Sequence, residues 1–103
     1  MRSVRRMEDQ ISHILDSAID LAMDAIEYKM SDPELSRTYH EAAKNEMESA
    51  RRLNDQGNRR KEDARRGANG MEIPQKLQEE WRKRERNNIG KMERAKTYID
   101  MYR

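Results

Sequence analysis

The chain has no cysteine and no phenylalanine. It has one tryptophan (Trp81), four tyrosines, two prolines and four glycines. Without cysteine, disulfide stapling and thiolate metal sites are excluded, and the composition fits a reducing compartment. No apolar stretch approaches the roughly 20 residues that cross a bilayer as a helix. The N-terminal residues have no signal-peptide apolar segment. The sequence-based expectation is therefore a soluble protein of the cytoplasm, without a membrane partner. At 103 residues and 34% hydrophobic content, the chain holds one domain at most. Its core is small enough that self-association or partner binding is a natural supplement.

What the sequence does have is charge. Asp, Glu, Lys and Arg make up 41% of it, and the formal net charge of +2 conceals a segregation. Residues 8–48 hold eleven carboxylates against three bases, a net of −8, so the remainder carries +10. An acidic front half precedes a basic back half.

Apolar periodicity predicts an all-α fold: an antiparallel helical hairpin plus a long third helix, in one domain spanning residues 1–103. The first helix is expected over about 7–30, where Ile11, Ile14, Leu15, Ala18, Ala22, Ala25 and Ile26 recur at steps of three and four. "SDPE" (31–34) breaks and restarts the chain, since proline suits a first helical turn and Ser31 with Glu34 has capping-box spacing. The second helix is expected over about 33–55, with Leu35, Tyr39, Ala42, Ala43, Met47, Ala50 and Leu53 facing inward. Residues 56–72 have three glycines and little to bury, and read as a flexible basic linker. The third helix is expected over about 74–102. There Trp81, Glu85, Asn88, Met92, Ala95, Ile99 and Tyr102 form a coiled-coil-like seam, through which a homodimer is compatible.

Catalytic signatures are sparse. There is no nucleophile elbow, no supported Ser/His/Asp arrangement and no phosphate-cradling glycine loop. A diiron bundle needs a Glu from each of two helices and Glu-x-x-His from each of the others. Glu46 lies on an inward stripe, but Ser49 occupies the ligand position one turn later. His13 and His40 read as solvated or hydrogen-bonded side chains. Glu46 and Glu85 would be metal or acid/base residues only under a ferritin-like reading. The alternative is that they pair with Arg84, Asn88 or a tyrosine inside the bundle. The expectation is a protein that is not an enzyme and takes no cofactor.

Two surfaces are candidates for binding. Asp9, Asp16, Asp20, Asp24 and Glu27 form an acidic strip along the first helix, either paired with cations of the third helix or mimicking a phosphate track for a partner. Arg51, Arg52, Arg59, Arg60, Lys61, Arg65 and Arg66 form a basic stretch able to touch nucleic acid weakly, or simply a solvated connector. No aromatic side chain lies there to stack on single strands.

"YHEAAKNEMESARRL" (39–53) and the segment from Glu72 to Arg103 resemble a group of small helical proteins encoded by phages and prophages of Gram-positive bacteria, which are like shortened ferritin-like bundles. The shared features are A-x-x-E-M-x-x-A (Ala43 to Ala50), the later Trp81 and the terminal Asp100-Met101-Tyr102. The likeness covers most of the chain from about residue 15. The group often has histidine three residues after the helix-2 glutamate and four after the tryptophan. Here those positions are Ser49 and Glu85, so the resemblance implies that metal ligation is not retained. It implies a phage accessory protein in the host cytoplasm that binds a protein or nucleoprotein complex. A nuclease inhibitor of the anti-CRISPR type is its sharpest form. The alternatives are a degenerate ferritin-like metal or redox protein, and an arginine-mediated nucleic-acid-binding accessory protein.

Overall fold

The computed structural model describes residues 4–67 and 73–102. It contains α1 (Val4–Tyr28), α2 (Pro33–Gly67) and α3 (Gln75–Met101), with no strand among the described residues. The all-α expectation holds. Its Cα extents, 58 × 20 × 17 Å, are those of a rod. The length follows from α2, whose 35 residues at 1.5 Å per residue span about 52 Å.

α1 is the central helix, packing most extensively with α2 and next with α3, while α2 and α3 scarcely meet. Its buried residues Glu8, Ile11, Leu15, Ala18, Ala22 and Ala25 alternate steps of three and four. α2 answers with Ala43, Met47, Ala50, Gly57 and Lys61 on the same rhythm. Among the described residues, half of the twelve buried apolar side chains are alanines, which lets the two backbones approach closely. Buried Ser36 of α2 exploits that approach, its hydroxyl donating to the Ala25 carbonyl of α1. Contacts of Ser36 with Ala25 and of Lys61 with Glu8 make α1 and α2 antiparallel. Pairs Arg5–Glu80, Asp9–Arg84 and Asp16–Lys91 climb together, so α3 runs parallel to α1.

The turn between α1 and α2 uses a different cap from the one the sequence favours. Asp32 Oδ1 accepts from the Leu35 N–H at 3.1 Å, so Asp32 is the N-cap and Pro33 the first helical residue. Proline at that position lacks only an N–H that would be unpaired anyway. The Ser31–Glu34 box is not used.

The larger correction concerns residues 56–67, read from the sequence as linker. They are helix, and Gly67 rather than residue 55 ends α2; the rest of the proposed linker up to residue 72 lies outside the described residues. Glu48–Arg52, Asp55–Arg59 and Glu62–Arg66 set an acid four residues before an arginine, the favourable orientation on a helix. The inward rhythm also continues through Asn54, Gly57 and Lys61, although none of them is apolar.

The α3 seam is likewise used within the chain. Trp81 is 6% exposed and Ala95 fully buried, and Met92 and Ile99 pack against the core. Tyr102 stacks on His40 of α2. A homodimer formed through Trp81, Met92, Ile99 and Tyr102 would have to displace the chain's own α1.

A glycine inside a helix costs about 1 kcal/mol relative to alanine. A Cβ on Gly57 would meet nothing within 4 Å. Gly57→Ala should therefore raise unfolding stability by about 0.5–1 kcal/mol, read as a higher urea midpoint. An unchanged midpoint would mean that this part of α2 is not helical in solution.

Candidate functional site

The best-built polar site lies where the N-terminal part of α1 meets the second half of α2 and the middle of α3. Lys61 is 2% exposed and Glu8 4%. The Lys61 ammonium contacts Glu8 Oε1 at 2.6 Å and Glu85 of α3 at still closer range. Asn88, also buried, donates through Nδ2 to Glu8 Oε2 at 3.0 Å and to the Glu8 carbonyl at 3.2 Å. One ammonium thus holds two carboxylates, and an amide satisfies the remaining oxygen of the more buried one. Burying a charge is costly unless it is paired and hydrogen-bonded, and both conditions are met for Lys61 and Glu8.

Lys61 was a candidate for contact with nucleic acid. That assignment fails, because its charge is sequestered and points between helices. The remaining members, Arg51, Arg52, Arg59, Arg60, Arg65 and Arg66, are exposed on α2. Arg52 lies 3.8 Å from Glu48 and Arg65 3.8 Å from Glu62, so this surface is interleaved with carboxylates.

The acidic strip divides in two. Arg84 bonds to Asp9 and, through Nε, lies 3.4 Å from Glu80. Lys91 reaches Asp16 at 2.8 Å and the Ser12 hydroxyl at 2.7 Å. The strip's first half is therefore neutralised by α3. Among the described residues no cation lies within ion-pair distance of Asp20, Asp24 or Glu27. Met23 (47% exposed) and Met30 (92%) project from the same end of the molecule.

Glu46 and Glu85 are not brought together. Glu85 contacts Lys61, which stands about 22 Å along α2 from Glu46 at 1.5 Å per residue. Among the described residues no cluster of three His, Asp or Glu side chains is arranged to hold a metal ion. A small polar cavity of about 60 Å³ lies beside the Lys61 network, lined by Glu8, Asp9, Ser12, Arg84, Asn87 and Asn88. That is room for water, well below the few hundred Å³ typical of a ligand pocket.

His40 closes the opposite end of the rod. Its ring stacks on Tyr102 at 4.1 Å and 17°, and Lys29 Nζ stands 5.4 Å from the Tyr102 ring centre. The buried Nδ1 has no hydrogen-bond partner among the described residues. Burial first, and then the Lys44 charge, hold the imidazole below its ordinary pKa of 6.5, against a smaller opposing pull from Glu41. His13 is exposed.

Sequence reasoning missed Lys61 and Glu8 as partners. The available signal was a lysine and a glutamate falling on the three-four rhythm of two neighbouring helices. Compared with known proteins, the chain matches no family model, no curated protein and no solved structure.

Lys61→Met should cost about 3–5 kcal/mol of stability, because it leaves Glu8 buried and unpaired. Adding Glu8→Gln should return part of that loss in a denaturant titration. A Lys61→Met cost below about 1 kcal/mol would place Lys61 at an exposed site.

His40 gives a second expectation. Its folded pKa lies below the unfolded one, so the unfolded chain takes up the proton first. The stabilisation is complete above about pH 6.5 and declines as pH falls through the folded pKa. His40→Phe keeps a ring for Tyr102 and should flatten the dependence of the urea midpoint between about pH 7.5 and 5.5. An identical slope in the variant would remove His40 as the cause.

Proposed function

We propose that this chain is a non-catalytic interaction protein whose acidic surface on α1 binds a basic surface of a nucleic-acid-handling complex. In its sharpest form it is a phage-type inhibitor of the anti-CRISPR kind, consistent with the resemblance carried by Ala43–Ala50, Trp81 and Asp100–Tyr102.

One observation carries this reading. α3 supplies cations to Asp9 and Asp16 but none to Asp20, Asp24 and Glu27, and Met23 and Met30 stand exposed beside them. Like charges three or four residues apart repel by a few tenths of a kcal/mol per pair, so an uncovered strip is mildly unfavourable until something positive meets it. Carboxylates in a row along a rigid helix offer a basic groove the charge pattern of a phosphate track. Methionines beside them supply adaptable apolar contact. The arginine reading has less support, because the α2 arginines alternate with acids and Lys61 is withdrawn from the surface. The ferritin-like reading has less support because Glu46 and Glu85 sit far apart.

The test is nucleic-acid cleavage by a panel of CRISPR nucleases, with and without the protein. At least one should be inhibited, more strongly at low salt. The variant Asp20→Asn, Asp24→Asn, Glu27→Gln should lose inhibition by about tenfold or more while keeping its helical circular dichroism. If no nuclease is bound or inhibited, or the variant inhibits equally, the reading is wrong.

A further inference from the structure

α3 covers only one flank of the α1–α2 pair. On α1, the side chains with polar contacts to α3 include Arg5, Glu8, Asp9, Ser12 and Asp16. At 100° per residue, Ile14, Leu21 and Tyr28 fall on the other flank of the buried stripe. They recur every seven residues, as do Tyr39, Glu46 and Leu53 on α2. The antiparallel register sets Tyr28 beside Tyr39, Leu21 beside Glu46 and Ile14 beside Leu53. The first pair is seen directly, with ring centres 5.9 Å apart. Ile14 and Leu53 pack partly against the core. Tyr28 is 37% exposed and the other five are half-buried.

The result is a largely apolar row of side chains along the furrow between α1 and α2, with the tyrosine pair at one end. α1 already packs on α2 and on α3, so apolar side chains on its remaining flank are left for a third neighbour. α1 has α2 against its inner face and α3 on one side, and among the described residues no further element covers the flank of Ile14, Leu21 and Tyr28.

Glu46 decides what fits there. It is the one charged group among the six, it is half-buried, and it has no hydrogen-bond or ion-pair partner among the described residues. Covering the furrow with a purely apolar helix would bury that carboxylate alone, which is strongly unfavourable. A second copy related by a two-fold axis fares no better. The furrow's midpoint is the Leu21–Glu46 step, so the axis would bring two Glu46 carboxylates together.

We propose that the furrow between α1 and α2 is the seat of an amphipathic helix from another protein, one that carries a lysine or arginine within its apolar stripe to pair with Glu46. This rests on the reading of the chain as an interaction protein, and it names a second surface, which meets the acidic strip only at Asp24. Docking of an amphipathic helix into an apolar groove is a common recognition mode, with anchors every three or four residues. The buried ion pair would supply the register.

The test uses three synthetic amphipathic peptides of about 18 residues, five turns of helix. They are identical except for arginine, leucine or glutamate at the centre of a leucine stripe. Binding to the full chain is followed by fluorescence anisotropy. The arginine peptide should bind about tenfold or more tightly than the glutamate peptide. Glu46→Lys should invert that order, and Leu21→Asp should abolish binding of all three. A strip variant that keeps Asp24, Asp20→Asn with Glu27→Gln, should bind the peptides as the parent does, which separates failure of this site from failure of the strip. Absence of binding by any peptide would overturn the proposal. So would an order unchanged in Glu46→Lys, or loss of binding in the strip variant alone. A sedimentation profile showing a dimer that Leu21→Asp dissociates would assign the furrow to a second copy instead.

Discussion

The arrangement depends on one buried ammonium. Lys61 is the point at which all three helices are tied together by charge, through Glu8 of α1 and Glu85 of α3, with Asn88 completing the Glu8 carboxylate. α2 and α3 otherwise meet little, chiefly where Tyr102 stacks on His40, so this contact, together with the Asp9–Arg84 and Asp16–Lys91 pairs, fixes how far α3 slides along the hairpin. Apolar packing alone would define that register less sharply, because among the described residues of α3 only Trp81 and Ala95 are buried apolar side chains. A charged triad has few alternative positions that do not strand a carboxylate. The network contributes position more than net stability, since desolvation offsets much of its Coulomb attraction.

From that register the surfaces follow. With α3 held parallel to α1, Arg84 and Lys91 fall opposite Asp9 and Asp16 and neutralise half of the acidic strip. The other half lies beyond the reach of α3's paired cations, with Asp20 and Glu27 exposed and Asp24 half-buried. The same placement commits α3 to one flank of α1 and leaves Ile14, Leu21 and Glu46 along the other. Two unlike surfaces, one acidic with exposed methionines and one apolar with a single carboxylate, thus come from one docking decision.

Much of this was legible in the sequence. Ile11, Leu15, Ala18 and Ala22 announce α1 through their spacing, and Pro33 fixes where α2 begins. Trp81, Ala95 and Ile99 mark the buried side of α3, and pairing of the acidic strip with cations of the third helix is realised in part through Arg84 and Lys91. The second half of α2 was not legible, for a physical reason. Its inward positions are Asn54, Gly57 and Lys61, so apolar periodicity stops at Leu53 although the helix does not. The signal there was in charge order, an acid four residues before each of Arg52, Arg59 and Arg66. Lys61 itself was hidden among arginines that share its sign but not its direction. Glu46 and Glu85 lie apart because α3 is shifted along α2, and Glu85 meets Lys61 rather than the Arg84, Asn88 or tyrosine the sequence suggests.

Continuity of α2 through the Lys61 contact is the claim on which the register, and so both surfaces, stand. Hydrogen exchange of the α2 backbone amides tests it most directly. Amides of residues 57–64 should exchange slowly, with protection approaching that of Ala43 to Ala50, because opening them would expose the buried charges. Exchange of 57–64 at the rate of an unstructured chain, while Ala43 to Ala50 stay protected, would contradict it and return this segment to a flexible basic linker.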